Sequence, residues 1–168
     1  MNYRIKEWIG SPDKVEKSYK HYLNKKIIQK IPESQNLIDA HMEKSQHNIE
    51  FSFFLITNNK YLDWVLVGLY YSLYHASLAL LAKKGFSSKD HTATICFLIK
   101  HYSIFSTEEL EFYESLALTK TEIEFYTGLK KERQKASYST EKMFDINNIR
   151  FMRKKTITII NKMKSILD

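Results

Sequence analysis

YLDWVLVGLYYSLYHASLALLAKKG, residues 61–85, decides the fold. Apolar side chains fall on nearly every face of a helix drawn through it, and a helix with no polar face belongs at the centre of a bundle. Ser72, His75 and Ser77 interrupt the apolar run and tyrosines are frequent, which fits a buried core helix better than a membrane span. Asp63 complements the first turn and Trp64 is assigned to the core. Lys83 and Lys84 occupy the last turn, and Gly85 stands where a helix closes with a left-handed residue.

Working outward from this helix, Thr57-Asn58-Asn59-Lys60 is a turn, and before it residues 34–56 carry Ile38, Met42, Ser45, Ile49, Phe53 and Ile56 at steps of three and four. Pro32 separates that helix from an earlier one over 12–29, opened by Ser11-Pro12-Asp13 and carrying Val15, Tyr19, Tyr22 and Ile27. Residues 1–10 form a lead-in anchored by Trp8. On the other side, Ser87 with Asp90 is read as a capping box for a helix reaching Tyr102. Ser106 with Glu109 opens a helix over 107–117, and Thr119 with Glu122 opens another reaching about residue 136. Asp145 caps a last helix whose stripe is Ile149, Met152, Thr156, Ile159, Met163 and Ile166.

No strand-like alternation competes with these periods. The expectation is all-α: an up-and-down antiparallel helical bundle with four long core helices and short additional ones, helix 61–84 at its centre. Residues 1–33 form an N-terminal helical extension and 34–168 the bundle domain.

The chain has 168 residues, enough for one domain with a real core. Its single cysteine, Cys96, excludes an intramolecular disulfide and a multi-cysteine metal site. Four glycines and two prolines argue against a turn-rich sandwich, and 43% hydrophobic residues argue against disorder. The opening MNYRIKEWIG lacks the apolar region of a signal peptide, so a cytoplasmic, non-membrane protein is expected.

Charge is segregated. Residues 1–30 carry net +5, residues 31–129 net −5 and residues 130–168 net +7. Basic ends lying side by side would attract a phosphate backbone; the same lysines also serve as solvated helix filler, and both readings stand at this point.

Searches for chemistry return little. There is no Gly-rich phosphate loop, HExxH or GxSxG motif, and the six histidines (21, 41, 47, 75, 91 and 101) show no ligand spacing, so no metal and no cofactor are expected. Two segments remain: YYSLYHASLALLAKKGFSSKDH over 70–91, and LKKERQKASY over 129–138. Their motifs, a YYxxxHxxxALLxxxG helix, a following S-K-x-H turn and a late R-x-x-A-x-Y, resemble in order and spacing the HEPN domain superfamily, close to its small stand-alone archaeal and bacterial members. The resemblance spans roughly residues 34–165.

That resemblance implies a helical bundle, homodimerisation through the face bearing the late arginine, and a minimal nucleotidyltransferase as a toxin–antitoxin partner. Active members are metal-independent ribonucleases whose motif is Arg, a spacer of four to six residues, then His. The arginine here is Arg133; no histidine follows it, and Tyr138 stands five positions on. A tyrosine with a pKa near 10 is a poor base at pH 7, whereas histidine is well matched. Arg133 can still hold a phosphate bidentately and Tyr138 can stack on a base. The expected function is therefore binding of a nucleotidyltransferase, RNA or nucleotide without efficient catalysis. Lys130, Lys131, Arg133, Lys135, Tyr138 and Arg150 are the binding candidates. The alternatives are a metal-independent endoribonuclease toxin using Arg133 and Tyr138 with His75 or His91, and a structural adaptor with no nucleic-acid role. Each site residue also has a plain structural reading: Arg133 as a bundle strut, Tyr138 as a core plug, His75 as a core or interface residue and His91 as a surface residue.

Overall fold

The computed structural model describes residues 3–117 and 145–168. Among them the chain is a largely helical bundle of seven helices: α1 (Tyr3–Ile9), α2 (Pro12–Asn24), α3 (Gln35–Thr57), α4 (Leu62–Lys83), α5 (His91–His101), α6 (from 107 to 117) and α7 (Ile146–Leu167). Two three-residue strands, β1 (Ile28–Lys30) and β2 (Phe86–Ser88), pair antiparallel with Ile28 opposite Ser88 and Lys30 opposite Phe86.

α3 and α4 form the dominant pair. Ser45 faces Ser72, and Ser52 donates to the carbonyl of Val65, so the two helices run antiparallel from the turn at 58–61. Small residues let the backbones approach closely. A β-carbon on Gly68 would stand 2.4 Å from Ser52 Oγ and 3.3 Å from the Asn48 carbonyl. α4 is buried along most of its length, with Leu69, Leu73, Ala76, Leu80 and Leu81 at zero exposure. By length and composition α4 could cross a membrane, but 78% of its most apolar window is buried inside the bundle.

The remaining helices divide by direction. Lys83 at the end of α4 donates to the carbonyls of Ile166 and Leu167, which places α7 parallel to α4 and antiparallel to α3. β2 carries the chain back along α4, so His91 at the start of α5 meets Tyr70 while Tyr102 after its end donates to the Leu80 carbonyl. α5 therefore also runs in the sense of α4. α6 opposes both, with Lys162 of α7 on Glu109 and Lys155 over the Phe112 ring. Antiparallel packing thus holds for α3 with α4 and α7 and for α6 with α7; the β2 return replaces a tight helical turn between α4 and α5.

Several local expectations need correction. The helix expected over 12–29 ends at Asn24, and residues 28–30 are strand because the extended segment after Gly85 offers them a ladder. Gly85 closes α4 at φ +71°, and a β-carbon there would stand 3.2 Å from the Ile31 carbonyl. The α5 cap is Asp90, whose carboxylate accepts from Ala93 N at 2.7 Å, while Ser87 lies in β2. The lead-in is a helix, and its Trp8 is buried with the indole N–H donating to Ser18. Trp64 is half-buried, and Phe53 is 54% exposed rather than in the α3 stripe. The Ser106–Glu109 capping box and the Asp145 cap form as read from the sequence. Ile5, Trp8, Val15, Tyr19 and Ile28 join the same hydrophobic core as α4, α5 and α7.

Candidate functional site

Of the sequence-derived candidates, Lys130, Lys131, Arg133, Lys135 and Tyr138 lie outside the described residues, as does the helix expected from Thr119 to about 136. His75, His91 and Arg150 are described, and they stand in three separate settings.

His91 is the first residue of α5. Its ring meets Tyr113 edge-on at 4.8 Å and Tyr70 at 5.3 Å, and Tyr70 stacks on Tyr74 at 5.9 Å. This aromatic cluster joins α4, α5 and α6. Burial pushes the Tyr74 phenol up and the Tyr113 phenol well above its ordinary value, so both are neutral hydrogen-bonding groups at physiological pH. The Asp90 carboxylate already occupies the anion-favouring N-terminus of α5. Glu114, one position past Tyr113, is a buried carboxylate.

His75 faces the other way, toward α3. Its Nδ1 stands 3.2 Å from Nδ1 of His41, with ring centroids 5.4 Å apart. Both rings are half-buried. Desolvation lowers both pKa values; that of His75 falls to about 4, with the neighbouring His41 and Lys44 charges adding to burial. With both values lowered the neutral imidazoles are favoured at pH 7, and one then donates while the other accepts. His75 and His91 are thus not brought together within one chain.

Arg150 is exposed near the start of α7. This helix carries Arg150, Arg153, Lys154, Lys155, Lys162 and Lys164 and no acidic residue. Some of these cations are held by the bundle: Lys162 by Glu109, Lys155 over Phe112, and Arg153 over the Phe53 ring at 4.9 Å. Arg150 and Lys154 point outward with Phe151, which is 64% exposed. A shallow groove of about 350 Å³ beside them is lined by Glu109, Phe151, Lys154, Lys155, Thr158 and Ile159. At the other end of the chain, Lys6 pairs with Glu111, Lys14 with Glu7, and Lys20 and Lys100 with Glu16. α2 packs on α5 while α7 packs on α4 and α3, and α6 stands between α1 and α7.

His41 is a residue that the sequence reading counts among the histidines without ligand spacing and gives no role. Its signal was present: folding 35–83 into a hairpin about residues 58–61 places His41, Ser45 and Ser52 against His75, Ser72 and Gly68. Among the described residues no group of three or more His, Cys, Asp or Glu converges as metal ligands. No protein-family model, curated protein or solved structure matches this chain.

Proposed function

We propose that this chain is a HEPN-type helical protein that works by binding, with single-stranded RNA as the ligand its surface suits best and a nucleotidyltransferase as a protein partner. The observation that carries the reading is α7, which has six cations and no acidic residue and turns Arg150 and Lys154 to solvent on either side of an exposed phenylalanine. Cations neutralise phosphates and release their counterions, while an aromatic face stacks a base without demanding a sequence. Arg133 in the position of the family's arginine, with Tyr138 where a histidine would follow, supports phosphate contact over turnover. The depressed pKa of His75 supports the same preference, since a base near pKa 4 removes a proton weakly at neutral pH. A homodimer pairing two copies of Arg133 across one groove belongs to this reading and should bury at least about 1,000 Å².

Fluorescence anisotropy with a labelled single-stranded RNA tests it. Binding should weaken as salt rises, and Arg150→Gln with Lys154→Gln should lower affinity and flatten the salt slope. Arg133→Ala should weaken binding while leaving the melting temperature nearly unchanged. Absence of binding at low salt would favour the adaptor reading, in which the lysines only solubilise the chain. Metal-independent RNA cleavage abolished by Arg133→Ala in a folded variant would establish the nuclease reading. Light scattering that returns a 20 kDa species at tens of micromolar would remove the dimer.

A further inference from the structure

We propose that His41 and His75 form a two-imidazole site for a first-row divalent cation, Zn²⁺ above all, on the flank of the α3–α4 hairpin. Two nitrogens bound to one tetrahedral zinc at about 2.0–2.1 Å stand about 3.3–3.4 Å apart. The two Nδ1 atoms are already 3.2 Å apart, so small ring rotations turn a shared hydrogen bond into a chelate. Three further features favour the site. The rings are half-buried and so reachable from solvent, and two waters would complete a four-coordinate set. The backbone beneath them is fixed: one turn further along the hairpin, Ser72 Oγ donates to the Ser45 carbonyl at 2.8 Å, so the separation of the two histidines is built into the helix pair. A metal takes the neutral imidazole, and the ring that donates its Nδ1 proton in this hydrogen bond needs only to change tautomer to present that nitrogen to the ion.

The site does not depend on the RNA reading and is tested without it. The purified full chain is titrated with Zn²⁺ alone by calorimetry and with Co²⁺ alone by visible absorption. The expected result is one ion per chain at micromolar affinity, with Co²⁺ giving the intense absorption of a four-coordinate site. His41→Gln and His75→Gln should each weaken Zn²⁺ at least tenfold. Should a histidine variant fail to fold, spectra of the unmodified chain with ¹⁵N-labelled histidine decide the matter. Zn²⁺ should shift His41 and His75 and leave His21, His47, His91 and His101 in place. No saturable binding, or shifts confined to the other histidines, would overturn the proposal.

Discussion

Ser52 of α3 stands where a β-carbon on Gly68 of α4 would have to go, the two being separated by only 2.4 Å. Ser52 is itself committed, donating to the Val65 carbonyl, so the hydroxyl cannot swing aside without losing that bond. Gly68→Ala should therefore destabilise the protein by about 1–3 kcal/mol through overpacking, despite alanine's better helix propensity. Urea denaturation measures the loss. Combining it with Ser52→Ala should restore part of the stability, and strictly additive effects would refute the contact.

Acid should weaken the fold before the carboxylates titrate. The folded-state pKa of His75 is about 4, and those of His41 and His101 are also lowered, in each case chiefly by burial. In the unfolded chain histidine titrates near 6.5, so between about pH 6.5 and 4 the unfolded state binds more protons and stability falls as pH falls. Above about pH 7.5 neither state carries the charge and the full stability is present. His75→Gln should flatten this slope by on the order of 1 kcal/mol once solvent screening is allowed for. Chemical denaturation at pH 7.5, 6 and 4.5 checks the sign.

Glu109 serves two structures at once. Its carboxylate accepts from Ser106 N in the capping box of α6 and from Lys162 Nζ of α7 at 2.6 Å. Glu109→Ala should cost about 1–2 kcal/mol, more than an exposed ion pair alone contributes. Lys162→Ala should cost less, because the cap survives it. Equal losses in the two variants would contradict the shared role.

Cys96 is fully buried, its thiol donating to the Val15 carbonyl at 3.8 Å, and burial pushes the thiol up to about 12. A thiol in that state is inert, since the thiolate is the nucleophile. A disulfide reagent should label the native protein only through opening, so the labelling rate should rise with denaturant as the unfolded fraction does. Rapid labelling of the native chain would show that α5 opens on its own.

The sequence was most legible where chemistry is local. The apolar run of 62–82, the Ser106–Glu109 box and the Asp145 cap each need only a few neighbours, and each forms as read. The β ribbon was not legible. Ile28-Gln29-Lys30 has one buried side chain and no alternation to speak of; it becomes strand because Phe86–Ser88 lies alongside. Phe53 sits at the right period for the core, yet the seam between α3 and α7 leaves it at the rim beneath Arg153. His41 became meaningful only in the hairpin register. Arg133 and Tyr138, on which the family resemblance turns, lie outside the described residues.

The bond from Lys83 to the Ile166 carbonyl spans 83 positions in the chain, and the ribbon joins residues 28–30 to 86–88. The α3–α4 hairpin closes through a four-residue turn by comparison. Loop-closure entropy makes the near contact form early and the distant ones late. Folding should thus nucleate on the hairpin, with α7 docking afterwards along α4. Substitutions at the Ser45–Ser72 seam should slow refolding, whereas truncating Lys83 should chiefly hasten unfolding. The time-course of assembly is written in which partners are neighbours in sequence and which are strangers to each other.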